Sequence, residues 1–261
     1  MSEELNLANL VKTKTANPPR LIVYGPEGVG KTTFASQAPD VFIMDIEGGL
    51  DGIEAYQQEA KTWDDVVAIL QALKTQPHKF RFFALDSLDW LEDLIHAKVC
   101  QIHNVKTMDD FNYGKGFMYA MDYWMTFTKE LDFLRDERRM GSILLAHDKI
   151  IRFNDPTGTS YDRHIVNLRE KTSLPHIMEW ADAVLFLKLK SVVTTEKNGF
   201  KESKKAHDAG GVHMYAKKTL SYDAKNRVML SLPDEFPISR DNAWGDFISQ
   251  IGKNKPTTQG E

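Results

Sequence analysis

Residues 25 to 32 read Gly25-Pro26-Glu27-Gly28-Val29-Gly30-Lys31-Thr32, which satisfies the spacing Gly-x-x-x-x-Gly-Lys-Thr. The apolar run Leu21-Ile22-Val23-Tyr24 precedes it, and the helix-like stretch Thr33-Phe34-Ala35-Ser36-Gln37 follows. Strand, glycine loop and helix in that order leave few folds open, because such a loop sits where a parallel strand passes into a helix. Glycines let successive N–H groups curl inward onto phosphate oxygens, and the helix N-terminus adds a favourable dipole. The expected nucleotide-binding residues are therefore Gly25, Pro26, Glu27, Gly28, Val29, Gly30, Lys31, Thr32 and Thr33. Lys31 is expected to reach the β- and γ-phosphates with no buried partner of its own, and the Thr32 hydroxyl to ligate Mg²⁺.

The remaining pattern fits that start. Apolar runs at Arg20–Tyr24, Val41–Asp45, Phe80–Asp86, Ser142–His147 and Ala183–Lys190 read as strands. Between them Lys31–Gln37, Trp63–Leu73, Ser87–His103 and Gly116–Arg138 read as helices. The alternation predicts an α/β fold, a mainly parallel sheet with helices on both faces. Val212–Lys218 and Arg227–Leu232 read as two further, antiparallel strands about a turn at 222–226, and Asp241–Ile251 as a closing helix stopped by Gly252. The predicted organisation is a leader over 1–16, a core over 17–235, a C-terminal helix within 236–251 and a disordered tail over 252–261. Two long polar segments, Asn104–Lys115 and Asp148–Thr172, read as loops leaving the carboxyl side of the sheet, where open α/β sheets place their ligands.

Composition narrows the function classes. With 261 residues and 42% apolar content the chain can bury one sizeable core. Its 33 Lys and Arg against 37 Asp and Glu give a mildly negative balance, so any nucleic-acid site must be local. The single cysteine, Cys100, excludes an internal disulfide and reads as a packed helix residue. No apolar run approaches the ~20 residues that span a bilayer, and Met1-Ser2-Glu3-Glu4 lacks a secretion signal. A cytoplasmic setting is expected.

A working nucleotide site needs a second metal-linked acid. Phe80–Asp86 is an apolar strand ending in a carboxylate, the form of a Walker B segment, so Asp86 is expected to hold Mg²⁺ directly or through water. A plain helix cap ahead of Ser87-Leu88-Asp89 is the alternative. Water activation needs a further group. Phe42-Ile43-Met44-Asp45-Ile46-Glu47-Gly48-Gly49 puts two carboxylates on one side of a strand end, and Glu47 beside two glycines is the expected base, with Asp45 supporting Lys31 or the metal.

On these residues the chain resembles RecA-type recombinases. Residues 42–51 are similar to the segment that carries their catalytic glutamate, and Leu85-Asp86-Ser87 to their Walker B. Ile143-Leu144-Leu145-Ala146-His147 resembles their strand ending in a γ-phosphate sensor, with His147 where RecA has Gln. Ala224-Lys225-Asn226-Arg227 resembles the Lys-Asn-Lys stretch that reaches a neighbouring subunit's nucleotide. Order and spacing agree over roughly residues 18–232, and the nearest likeness is to short RecA-like ATPases of bacteriophages, the ATPase branch of the Sak single-strand annealing proteins. The resemblance implies a RecA-like P-loop ATPase core using ATP and Mg²⁺, with Lys31, Glu47, His147, Lys225 and Arg227 as catalytic residues. It also implies single-stranded DNA as a partner, a homo-oligomeric ring or filament, a single-strand-binding protein as a further partner, and the host cytoplasm as location. The leader's Leu5–Val11 could dock on a neighbour.

Local charge bears on the DNA expectation. Residues 188–227 hold ten Lys and Arg against four acids, and Lys197–Lys205 reads as a basic hairpin tip. Lys149, Arg152, Phe153, Tyr161, Arg163, Arg169 and Lys171 interleave cations with aromatics, a composition suited to stacking bases and pairing phosphates. Four acids in the same stretch fit a solvated loop equally. Met118, Tyr119, Met121, Tyr123, Trp124, Met125 and Phe127 read as helix core, and Trp90 and Trp180 as packing residues. The expected function is a DNA-stimulated ATPase that anneals or pairs strands. The rivals are a nucleotide-gated DNA-binding scaffold with incidental turnover, and a small-molecule P-loop kinase.

Overall fold

A computed structural model describes residues 17–155, 158–198 and 201–254, with the side chains of 191–209 left aside. The predicted leader, most of the predicted tail, and the side chains of the basic hairpin tip therefore lie outside the described residues. The strands are β1 (Arg20–Gly25), β2 (Val41–Asp45), β3 (Tyr56–Glu59), β4 (Phe82–Asp86), β5 (Gly141–Phe153), β6 (Tyr161–Val166), β7 (Ala183–Asn198), β8 (Lys201–Tyr215), β9 (Lys225–Asn226) and β10 (Glu235–Ile238). The helices are α1 (Lys31–Ser36), α2 (Trp63–Thr75), α3 (Leu88–His103), α4 (Lys115–Glu137), α5 (Ser173–Trp180) and α6 (Ala243–Gln250).

The sheet runs β10-β8-β7-β1-β5-β4-β2-β3. From β7 to β3 all neighbours are parallel, whereas β8 and β10 add antiparallel strands at one edge. Alternation along each strand sorts side chains to two faces. In β1, Ile22 and Tyr24 join the core beneath α2 to α5, while Leu21 and Val23 face Phe34 of α1 and Trp244 and Phe247 of α6. The expected α/β architecture, with helices on both faces and antiparallel strands late in the chain, is the one observed.

Several segments depart from the sequence reading. Asp148–Thr172 is no plain loop: β5 continues past the parallel sheet to Phe153 and pairs back with β6 from Asp148↔Val166 to Phe153↔Tyr161. Polar pairing holds this hairpin, including His164 Nδ1 against Asp148 Oδ2 at 2.5 Å, so apolar periodicity could not reveal it. Arg227–Leu232 is a turn, because the Leu230 N–H closes back on the Arg227 carbonyl at 3.0 Å and Ser231 takes a positive φ of 45°. The late antiparallel strand is instead β10, so residues 236–251 are strand as well as helix. In α4, Trp124 and Phe127 are buried as expected, but Met118, Tyr119 and Met125 are exposed, as is Trp90 in α3. Cys100 is buried on α3.

Candidate nucleotide site

The glycine loop is shaped by backbone demands. Gly28 and Gly30 have φ of +72° and +101°, values that β-carbons disfavour. At Gly25 a Cβ would lie 2.2 Å from the Leu187 carbonyl oxygen, because β7 passes directly alongside. The chain then enters α1 with Lys31 as its first residue.

Lys31 is buried, and its Nζ donates to the carbonyls of Gly25 and Pro26, both at 3.0 Å. This corrects the expectation of no buried partner: the ammonium braces the loop from inside. Burial lowers its pKa, while Asp86 and Glu47 act to keep it charged. Thr32 Oγ1 donates to Asp86 Oδ2 at 2.7 Å, joining the loop to the carboxyl end of β4. Burial raises the Asp86 pKa against the Thr32 hydrogen bond and Lys31.

The neighbouring strand ends complete the group. The N–H groups of Ile46 and Glu47 both donate to the Asp86 carbonyl, at 2.8 and 3.2 Å, which turns the chain after β2 toward β4. Asp45 Oδ1 accepts the Gly48 N–H at 2.7 Å, so Asp45 shapes this turn rather than meeting Lys31. Glu47 Oε1 faces His147 Nε2 at 3.8 Å. Burial raises the Glu47 pKa, as do Asp86 and Asp89, while His147 and Lys31 oppose the rise. In β5, His147 stands opposite Gly25 of β1, so the strand register itself delivers its ring to the loop.

Glu47, Asp86 and His147 line one cleft of about 540 Å³, together with Glu27–Thr33 and Gly49. Sequence reasoning missed its far wall. Leu187, Leu189 and Val212 give an apolar side, and Ile238, Ser239, Arg240 and Ala243 close it from the β10–α6 segment. Gln37 ties that segment down, donating to the Arg240 carbonyl at 2.8 Å and accepting from Trp244 N–H at 3.2 Å. An apolar wall beside a phosphate loop suits a base and ribose, and the exposure of Leu189 on that wall is visible only in the structure.

The residues also fit Mg²⁺. Among the described residues no cluster of three or more His, Cys, Asp or Glu could hold a metal ion by itself. A hydroxyl and one buried carboxylate, Thr32 and Asp86, form the donor set expected where Mg²⁺ takes its remaining ligands from phosphates and water.

Other candidates lie elsewhere. Lys225 Nζ donates to the carbonyls of Met178 and Glu179 at 2.7 and 2.9 Å, capping α5. Arg227 donates to Asp182 Oδ1 and the Glu179 carbonyl, both at 3.0 Å. Asp182 accepts the N–H of Arg20 at the start of β1, so this pair sits at the amino edge of the sheet, opposite the phosphate loop. Of the DNA candidates, Arg163 is buried and stacked over Phe153 and Tyr161, at 4.8 and 5.3 Å to the ring centroids. Lys149 bonds the Leu168 carbonyl at 2.8 Å, Arg152 pairs with Asp162 at 3.3 Å, and Arg169 lies over the Phe117 ring. Lys171 follows β6 in the segment leading to α5. Among the described residues no helix is long and apolar enough to cross a membrane.

A family model described as an AAA domain matches residues 17–228. No curated protein matches the chain.

Proposed function

The chain belongs to the AAA-domain family, and from that premise we propose an Mg²⁺-dependent ATPase of RecA-like type that binds single-stranded DNA and promotes strand annealing or pairing, as the short phage Sak-type ATPases do. The observation that carries the ATPase half is the convergence of Lys31, the Thr32–Asp86 pair, Glu47 and His147 on one cleft. Lys31 and the inward loop N–H groups would bind the phosphates. Bound Mg²⁺, held by Thr32 and Asp86, would neutralise charge on the β- and γ-phosphates. Glu47 would take a proton from the attacking water, and its raised pKa places it closer to the basicity that task needs. His147, across from Glu47, would sense the γ-phosphate.

The DNA half is supported by the β5–β6 hairpin. It grows from the same strand as His147 and presents exposed Ile150 and Phe153 beside Arg152. With Arg163 buried under its aromatic partners, Arg152, Phe153 and Tyr161 are the better candidates for contact, and Lys149 and Arg169 act through the neighbouring loops. A homo-oligomer and a single-strand-binding protein remain part of the proposal as partners.

ATP hydrolysis measured with and without single-stranded DNA tests the whole reading. Stimulated turnover is expected. Turnover without stimulation would leave the ATPase alone, and phosphoryl transfer to a small molecule would favour the kinase. Glu47→Gln keeps size and hydrogen bonding, so ATP should still bind in a filter or fluorescence assay while hydrolysis falls ~10²-fold or more. Unchanged hydrolysis in that variant removes Glu47 from the chemistry. DNA binding that persists undiminished in it, with ATP bound, is what a nucleotide-gated scaffold would show.

A further inference from the structure

The sequence reading gave no role to Asp89, which lies in the first turn of α3, three residues beyond Asp86. Both of its carboxylate oxygens are engaged. Oδ1 accepts the Ser87 hydroxyl at 2.9 Å and the His147 backbone N–H at 3.1 Å. Oδ2 meets His147 Nδ1 at 2.8 Å. One side chain thus grips both the backbone and the ring of the residue that faces Glu47. An ionised carboxylate only accepts, so the hydrogen in that last contact belongs to Nδ1, and Nε2 is left toward the cleft.

We propose that Asp89 is a positioning residue of the nucleotide site, holding the His147 ring so that Nε2 is presented to Glu47 and to the phosphate position. The catalytic consequence rests on the ATPase reading above; the hold on the ring does not. A histidine has two ring orientations and, when neutral, two tautomers. The paired contacts to backbone and ring select one of each, the work that a partner of a ring nitrogen does in many sites. A plain acid near a helix N-terminus would instead interact with the dipole and stabilise α3, with no effect on the tautomer of His147.

The experiment is ¹⁵N-histidine NMR together with steady-state ATPase kinetics on the full chain. Of the eight histidines, His147 is assigned by the signals lost in His147→Gln. In the wild type its Nδ1 should carry hydrogen, and a ring protonated on Nε2 alone overturns the proposal without any change at Asp89. In Asp89→Asn the amide oxygen can serve the Ser87 and backbone donors, which leaves the amide nitrogen facing Nδ1 and pushes the hydrogen to Nε2. Expected with that switch is a fall in kcat of roughly tenfold or more, with KM for ATP moving far less. Melting temperature should stay near that of the wild type. A tautomer that does not change, or one that changes with kcat intact, overturns the proposed role. If the wild type hydrolyses no ATP, the ATPase reading fails, and the NMR result still decides whether Asp89 sets the ring.

Discussion

Lys31→Ala is expected to abolish nucleotide turnover and to leave the fold in place. The ammonium braces the Gly25 and Pro26 carbonyls at 3.0 Å and would place its remaining N–H on the phosphates. Truncation removes a positive charge from a buried position and leaves two loop carbonyls short of a donor, each worth about 1 kcal/mol. It also relieves the desolvation that lowers the Lys31 pKa, so the melting temperature should move only slightly. Activity has no such compensation, because the alanine supplies nothing to charge developing on the phosphates. Asp86→Asn should match it in lost turnover but differ in character: the Thr32 hydrogen bond can persist to the amide oxygen, ATP contact is retained, and Mg²⁺ dependence disappears. Wild-type rates in Lys31→Ala, measured by phosphate release, would remove the central claim.

How much of this was legible beforehand depended on what each segment had to bury. The strands that are covered on both faces announced themselves as apolar runs, and the glycine loop carried its geometry in its spacing. The edge strand β3 did not. Tyr56-Gln57-Gln58-Glu59 is exposed throughout and exists because its backbone pairs with β2, from Phe42↔Tyr56 to Asp45↔Glu59. Helix α5 was hidden by its shortness and by Pro175, which the first turn of a helix tolerates because N–H groups there have no helical partner. The β5–β6 hairpin is stitched by side-chain pairs such as Asp148–His164, and pairs between distant residues leave no local period. The site shows the same division. Lys31, Thr32 and Asp86 follow from motif spacing, whereas the contact of Asp89 with His147 joins positions on separate elements and becomes visible only once β5 and α3 are side by side. The Ile238–Ala243 wall belongs to the same class, since it reaches the loop from beyond the end of the family match.

Arg227→Ala is expected to reduce turnover by ~10³-fold, the scale of an arginine acting on a neighbour's transferring phosphoryl group. Within its own chain Arg227 lies at the amino edge of the sheet, so any action on nucleotide must be on a second copy. Its side chain is 44% exposed, and the turn that carries it holds Val228 and Met229 outward, 81% and 43% exposed. Apolar side chains rimmed by arginines are the composition of a surface that meets a partner. A structural role competes: Arg227 joins Arg20 and Arg135 around buried Asp182, and it helps Lys225 cap the end of α5. In that case Arg227→Ala would cost one hydrogen-bonded charge pair, ~1.5–3 kcal/mol, and shift the melting temperature without a specific loss of rate. Mixing decides between the two. A chain with Arg227→Ala retains its phosphate loop, and a chain with Lys31→Ala retains its arginine, so a mixed interface can unite one intact half from each. Activity recovered at intermediate mixing ratios, peaking near equal amounts, is the expected outcome. A protein that stays monomeric with ATP and single-stranded DNA, and shows no recovery at any ratio, would leave Arg227 as a brace for Asp182 and α5.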